Sequence, residues 1–407
     1  MPDLDNRLAR SRTALLDEIE QPPLADVRRR ARRIRRRRSA AAGATVLALL
    51  GVIGIAARPW QHDGTTPEVT ASNPAAITPV YEAGGIKIVG LLPQPVYVLG
   101  GDNPDVEFTD RTHGLAATAC AQDCPPLART DDGGLKWGPA APSPVGGGSA
   151  DLIAFPGGRW LLKGGDSYWS SADGTNWKPV TPPAATSRAA IGPGELLRYD
   201  PVAAAVTVLS PEEGPLGPLT AQPELTIRSV IPPPAADGAW WIGGVVDGRP
   251  AVAVSRDSGR SWSVTPLPAT AGDVYTVTTG TLGTEVYAVA RGEKGELRAV
   301  YHSTDSGRDF TSNDLTGAAA AHKAPATVSG DPVPLLDGRL LVIEQGGAPS
   351  SWWVSDDGGA SFSPVAGLPA VGFIRQTYAG YVAYQLFDSS WMAFSPDGST
   401  WQKLQVH

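Results

Sequence analysis

Ser255-Arg256-Asp257-Ser258-Gly259-Arg260-Ser261-Trp262 is one copy of a motif that recurs through most of this 407-residue chain. The motif reads Ser/Thr-x-Asp-x-Gly-x-x-Trp/Phe. Full copies also begin at Thr130, Ser303 and Ser355, and copies one residue shorter begin at Ser171 and Ser395. Successive first positions are separated by 41, 84, 48, 52 and 40 residues, so one interval is about twice the others.

The double interval predicts a degenerate copy near its middle. Ser210-Pro211-Glu212-Glu213-Gly214 lies there: it keeps the serine and the glycine, has Glu in place of Asp, and has Gly217 where the aromatic residue belongs. Seven units with a period of about 40–50 residues are typical of a β-propeller with one four-stranded blade per unit. We therefore predict an all-β fold, a seven-bladed β-propeller over residues 85–407.

The residue types of the motif suit a hairpin turn. The Asp carboxylate can accept hydrogen bonds from backbone N–H groups of its own turn, and the glycine can adopt a positive φ. The hydroxyl of the first residue can tie the two strand ends together, and the aromatic side chain can pack beneath the turn. Each copy follows a β-rich run such as Ala251–Val254. The sequence therefore predicts that these turns close the outer hairpins of the blades.

An uncharged segment, residues 39–57, lies between Arg38 and Arg58. Nineteen helical residues span about 28 Å, close to the thickness of the bilayer hydrocarbon. Nine of the eleven residues in Arg28–Arg38 are arginine, so the positive-inside rule places residues 1–38 in the cytoplasm. We predict a transmembrane helix there; a cleaved signal peptide and a buried core helix are the alternatives.

The segments on either side of this helix complete the predicted organisation. Residues 1–38 form a cytoplasmic Arg-rich head in which Leu4, Leu8, Leu15 and Ile19 have near-helical spacing. Residues 58–84 are rich in Pro and Thr and are predicted to be a flexible stalk. Localisation follows: a single-pass cell-membrane protein with its amino terminus in the cytoplasm and its propeller outside.

The repeated turns resemble the Asp-box, or BNR, repeats of sialidases, sortilin-type receptors, xyloglucanases and photosystem II assembly-factor propellers. Together with the Arg-rich head and the apolar segment, the chain also resembles actinobacterial membrane proteins that are often named exo-alpha-sialidase. In the Asp-box families the turn lies at the blade periphery, away from the active site. The resemblance therefore implies structural roles for Asp132, Asp173, Asp257, Asp305, Asp357 and Asp397.

The same resemblance raises the question of catalysis, because one blade type serves enzymes and binding proteins alike. A sialidase active site requires three Arg, a Tyr nucleophile paired with a Glu, and an Asp acid/base. The Arg-Ile-Pro motif of that family is missing here, and sialidase propellers have six blades. Glu285 and Tyr287 share one face of a predicted strand and could supply the Tyr–Glu pair, or they are a surface residue and a packed tyrosine.

Other chemistry has little support in the sequence. The chain has no G-x-S-x-G, H-E-x-x-H or phosphate-loop motif, and its five His have no ligand spacing. No cofactor and no metal are predicted. Residues 59–407 carry a net charge of −14 against +7 for residues 1–58, so a nucleic-acid partner is not expected.

The two cysteines, Cys120 and Cys124, lie within Cys-Ala-Gln-Asp-Cys, just before the first motif. Outside the membrane a disulfide between them is the expected state, with a metal or redox site as the alternative.

The sequence favours a non-catalytic, membrane-anchored propeller that binds an extracytoplasmic protein or glycan or supports an envelope complex. A sialidase-like glycoside hydrolase is the alternative function. Signalling across the membrane through the head is a third.

Overall fold

The computed structural model describes residues 81–90, 105–117, 127–145, 150–345, 351–384 and 392–404. The predicted head, transmembrane helix, most of the stalk, and both cysteines lie outside these residues. Within them, no helix is both long and apolar enough to cross a bilayer.

The described chain is built from short antiparallel strands. Most of them form small sheets in which each strand pairs with the next one along the chain, and we call each such sheet a meander. The first two are β1 (Tyr81–Ala83) and β2 (Ile86–Val89). Meander 1 contains β3 (Asp105–Phe108), β4 (Gly114–Ala117), β5 (Ala128–Thr130) and β6 (Gly138–Pro139). Meander 2 contains β7 (Ala150–Phe155), β8 (Arg159–Gly164), β9 (Ser167–Ser171) and β10 (Lys178–Val180). Meander 3 contains β11 (Leu196–Asp200), β12 (Ala205–Ser210) and β13 (Gly214–Pro218).

The pattern continues to the end of the described chain. Meander 4 contains β14 (Thr226–Val230), β15 (Trp240–Val246), β16 (Arg249–Ser255) and β17 (Ser263–Pro266). Meander 5 contains β18 (Thr276–Leu282), β19 (Glu285–Arg291), β20 (Leu297–Ser303) and β21 (Thr311–Asp314), and a 3-10 helix (Ala318–Ala321) follows it. Meander 6 contains β22 (Ser329–Pro334), β23 (Leu340–Ile343), β24 (Trp352–Ser355) and β25 (Ser363–Pro364). Meander 7 contains β26 (Phe373–Thr377), β27 (Gly380–Tyr384), β28 (Met392–Ser395) and β29 (Thr400–Leu404).

Apolar clusters fill the space between consecutive meanders. Representative buried pairs, in ring order, are Leu115 and Trp160, Phe155 and Val206, Val208 and Ile242, Trp241 and Ala288, Val289 and Val342, Leu341 and Ile374, and Phe394 and Phe108. The last pair joins meander 7 to meander 1, so the sheets form a closed ring. This is the architecture of a β-propeller, as the sequence predicted.

The first described strands pair with the last one at the closure of the ring. β2 pairs with β29 in parallel, with Lys87 opposite Thr400, and β1 pairs with β2. Meander 7 therefore gains two outer strands from the amino-terminal side. β1 lies inside the range that the sequence assigned to the stalk, so the ordered sheet begins a few residues earlier than predicted.

Adjacent meanders approach each other closely at glycines. A Cβ on Gly243 would lie 1.9 Å from the carbonyl oxygen of Val277, and one on Gly280 would lie 2.5 Å from that of Pro332. Both distances are shorter than a van der Waals contact, so only glycine allows these strands to pack at this separation.

Meander 3 differs from the four-stranded unit that the repeat predicts, because it has three strands. Residues 181–195, which precede β11, include Pro182, Pro183 and Pro193 and form a single bridge, between Arg188 and Leu219. Proline has no N–H to donate to a sheet, which explains the missing strand. Ser210–Gly214 nevertheless forms the turn between β12 and β13, where the degenerate motif was expected.

Candidate functional site

The repeated turns share one hydrogen-bond pattern, which is clear at the Ser255 copy. Ser255 Oγ donates to Asp257 Oδ1 (2.8 Å), and the Gly259 amide donates to Ser255 Oγ (2.7 Å). The Ser261 amide donates to the same carboxylate oxygen of Asp257 (2.9 Å). Ser258 and Gly259 both have positive φ, 61° and 79°. One hydroxyl and one carboxylate therefore satisfy the amides of the turn.

Each of the other five Asp carboxylates accepts an amide N–H from within its turn. The donors are Lys136 to Asp132, Asn176 to Asp173, Asp309 to Asp305, Ser361 to Asp357 and Thr400 to Asp397, at 2.9–3.1 Å. Hydrogen bonds from the Ser261 hydroxyl and amide lower the pKa of Asp257 to about 2. At the degenerate copy, Glu212 instead forms an ion pair with Arg159 (2.5 Å).

Replacing Asp257 with alanine should lower the free energy of unfolding by about 1–2 kcal/mol, because the Ser255 hydroxyl and the Ser261 amide lose a charged acceptor. A thermal melt of the purified protein measures this loss. Asp273→Ala is the control, because Asp273 is an exposed aspartate that lies outside the repeated turns. Equal melting temperatures for the two variants would contradict a structural role for the turn carboxylate.

A cluster of polar and charged side chains joins meander 1 to meander 7. It consists of Asp105, Glu107, Arg375 and Tyr384, and we call it the closure cluster. Arg375 Nη2 lies 2.6 Å from Asp105 Oδ1, 2.9 Å from Glu107 Oε1 and 3.0 Å from the Tyr384 hydroxyl oxygen. The Leu152 amide donates to Asp105 Oδ2 (2.7 Å). Burial raises the pKa of Glu107 to about 8, although Arg375 opposes that rise. One guanidinium group therefore serves two carboxyl groups.

Both members of the candidate Tyr–Glu pair on β19 already contact other side chains or backbone. Tyr287 is 1% exposed, its ring stacks on the His302 ring with centroids 4.3 Å apart, and its hydroxyl donates to the Gly338 carbonyl (3.3 Å). Glu285 Oε2 lies 2.5 Å from His302 Nε2. Burial, followed by the charge of Glu285, raises the pKa of Tyr287 to about 12. Both a hydrogen bond and a raised pKa work against Tyr287 as a nucleophile.

Three arginines of the described strands have separate partners. Arg291 of β19 donates to the carbonyls of Val328 and Gly330 (3.1 and 3.2 Å). Arg198 of β11 donates to the Tyr168 hydroxyl (3.1 Å), and Arg228 of β14 stacks over the Tyr275 ring at 4.9 Å. The three arginines therefore lie in three different meanders, and each guanidinium group has a different partner.

A groove with a volume of about 470 Å³ lies on the face that carries the repeated Ser/Thr-x-Asp turns, and we call it the box-face groove. Its walls come from meanders 1, 2 and 7. Its polar and aromatic lining includes Thr109, Asp110, His113, Arg129, Asp173 and Tyr378. Of these residues, only Asp173 was singled out from the sequence.

The polar side chains of the groove are hydrogen-bonded to one another and to the neighbouring backbone. Asp110 Oδ2 lies 2.8 Å from His113 Nδ1. Arg129 Nε donates to Asp131 Oδ1 (2.8 Å), and its Nη1 donates to the Asp173 carbonyl (3.3 Å). The polar run Asp110–His113 between two strands was a visible signal in the sequence, but Tyr378 enters the groove only through the closure of the ring.

A resident metal has no candidate site in the part of the chain that the structure describes, because no three His, Cys, Asp or Glu side chains converge there.

The strand order and the closed ring define the class of this protein: it is a β-propeller. No protein-family model matches the chain, and no curated protein matches it. Solved structures with a similar fold include YCF48 from Cyanidioschyzon merolae, with 12% identity and a TM-score of 0.42 over 78% of this chain and 95% of that one.

Two further solved structures are similar at the same level. The Cps50 (Swd1) β-propeller domain of Myceliophteria thermophila has 12% identity and a TM-score of 0.45, covering 73% of this chain and 98% of that one. A structure of YCF48 bound to D1 peptide has 16% identity and a TM-score of 0.31, covering 77% and 83%. These similarities concern the fold alone.

Proposed function

We propose that this chain is a seven-bladed β-propeller that binds a ligand without transforming it, and that the box-face groove is the ligand site. The observation that carries the proposal is the groove itself, whose walls come from three meanders and include hydrogen-bonded polar side chains. The seven meanders and their shared apolar clusters support the blade number. Residues 39–57 anchor the propeller outside the cell membrane in this proposal, and Cys120 and Cys124 form a disulfide.

The groove has the features of a preformed binding site. Its volume lies within the range of small-ligand sites, about 300–1,000 Å³. His113 and Arg129 each have a carboxylate partner that holds the side chain in place. Side chains that are already ordered lose little conformational entropy when a ligand binds, which favours affinity. The groove can therefore accept hydrogen-bonding groups of a peptide or a glycan without rearrangement.

Residues of one Asp-box turn line the groove while the turn keeps its own hydrogen bonds. The Asp173 carboxylate accepts the amides of Thr175 and Asn176 at 2.8 and 2.9 Å. Ala172, the neighbouring residue, is exposed and small, and it lines the groove. A large side chain at position 172 would fill the groove while leaving the hydrogen bonds of the turn intact.

Ala172→Trp should therefore reduce ligand binding at least tenfold and leave the melting temperature nearly unchanged. The probes are a glycan array and a peptide array, each incubated with the full-length protein. Thr304→Trp is the matched control, because Thr304 is exposed at the same position of the motif in meander 5. Retention of the bound probe by the Ala172→Trp variant would show that the ligand site lies elsewhere.

A further inference from the structure

The closure cluster lies where the two ends of the ring meet. Arg375 and Asp105 are 270 residues apart in the sequence, yet they are 2.6 Å apart in space. The Tyr384 hydroxyl also reaches the Val106 carbonyl across the same interface (3.2 Å). Further from the cluster, the Phe108 and Phe394 rings stack with centroids 3.9 Å apart. The interface therefore has an apolar layer and a charged layer, and we call it the seam.

The charge of the cluster depends on one proton. With Glu107 neutral, the Asp105 carboxylate and the Arg375 guanidinium balance each other. With Glu107 ionised, two carboxylates share one guanidinium, and a net negative charge is buried at the seam. Only 12% of the Glu107 side chain is exposed, so water compensates little of that charge.

Among the described residues, the other cations near the cluster already interact with carboxyl groups. Arg291 of β19 interacts with the charge of Asp331. β4 carries no titratable side chain. On β7 the charged residue is Asp151, which is paired with Lys163 (3.5 Å). On β22, Asp331 is a buried carboxyl whose pKa burial also raises, and burial keeps Tyr384 of β27 neutral by raising its pKa.

We propose that the closure cluster is a proton-controlled latch that holds meanders 1 and 7 together while Glu107 is protonated and releases them when it is ionised. The latch is separate from ligand binding, because it regulates the closure of the ring itself.

The direction of the pH dependence follows from proton linkage. In the closed seam the pKa of Glu107 is about 8, and in an opened seam the side chain returns to water and its usual value of 4.5. Between these pH values the closed state holds one more proton than the opened state. Opening therefore becomes about tenfold more favourable for each pH unit of increase, and it levels off above about pH 8. The latch is tight in acid and loose at neutral to alkaline pH.

The latch also acts on the box-face groove, in so far as the groove is the ligand site proposed above. Thr109 follows β3 directly, and Tyr378 follows β26 directly. Both residues line the groove from opposite sides of the seam. Opening the seam would separate these two walls, so ligand affinity would fall as the pH rises.

Hydrogen–deuterium exchange of the full-length protein tests the latch without a ligand. After correction for intrinsic exchange, opening measured on peptides that cover β3 and β26 should increase about tenfold per unit between pH 5 and pH 8. In Glu107→Gln this slope should disappear, because the variant has no proton to lose. Asp151→Asn, which removes a carboxylate from the neighbouring strand, should keep the slope. A slope that persists in Glu107→Gln overturns the proposal.

A second measurement covers the case in which Glu107→Gln does not fold. Carboxyl ¹³C titration of wild-type protein labelled at glutamate should show one resonance with a midpoint above pH 7. If every glutamate titrates near its usual value, the latch does not exist. Neither measurement depends on a ligand, so the latch can fail while the proposed binding function stands.

Discussion

Replacing Trp401 with alanine should lower the free energy of unfolding by about 3–5 kcal/mol, the usual cost of removing a fully buried aromatic side chain. Trp401 is 0% exposed and meets the Trp352 ring edge-on, with centroids 5.5 Å apart. Its indole N–H donates to the Gly398 carbonyl (2.8 Å). Its backbone also pairs with Ile88 of β2. The substitution would therefore empty the core where β2 joins meander 7.

The matched control is Trp262→Ala, at the equivalent position of the motif in meander 4. Trp262 is only half-buried, and its indole N–H donates to the Ala221 carbonyl (3.1 Å). In a denaturant titration followed by circular dichroism, the Trp262→Ala variant should lose clearly less free energy of unfolding than the Trp401→Ala variant. Equal losses would show that the aromatic positions of the motif are energetically equivalent, contrary to their burial.

Replacing Arg375 with methionine should be the second most damaging change, with a loss of about 2–4 kcal/mol at pH 7. Removing one partner of a buried ion pair costs about 3–5 kcal/mol. The expected loss is smaller here, because 37% of the Arg375 side chain is exposed. Asp105 and Glu107 would lose the guanidinium group that they share at the seam, so the variant should also open first between meanders 1 and 7.

Denaturant titration measures the loss in Arg375→Met, and hydrogen exchange locates it. Arg256→Met serves as the control, because Arg256 pairs with Asp237 at the surface (3.0 Å, 46% and 39% exposed). Such a surface pair contributes about 0–1 kcal/mol. If the two variants lose the same stability, the closure cluster contributes no more than an ordinary surface ion pair.

The repeat period and the turn chemistry of the fold could be predicted from the sequence, because both are local. The Ser255 motif specifies its own hydrogen bonds: the hydroxyl, the carboxylate and the glycine lie within five residues of one another. The degenerate copy at Ser210 could be found by spacing alone. What the motif does not encode is burial, which is why Trp262 and Trp401 look alike in sequence and differ in the folded chain.

Meander 3, the closure cluster and the box-face groove depend on distant contacts and were not predicted. The three prolines before β11 can be read from the sequence. The sequence alone does not say that the ring closes with only three strands in meander 3. The closure cluster brings Arg375 to Asp105 across almost the whole ring. The box-face groove combines Asp110 with Tyr378 for the same reason. The sequence contains these residues, and only closure of the ring puts them together.

A turnover assay on the alternative substrate class tests whether the propeller binds its ligand without hydrolysing it. Full-length protein should be incubated at micromolar concentration with fluorogenic α-sialosides, beside a Tyr287→Phe variant that keeps the ring packing against His302. We expect no release of fluorophore above the buffer rate by either protein. Release by the wild type that Tyr287→Phe abolishes at an unchanged melting temperature would contradict this expectation and identify the propeller as a hydrolase.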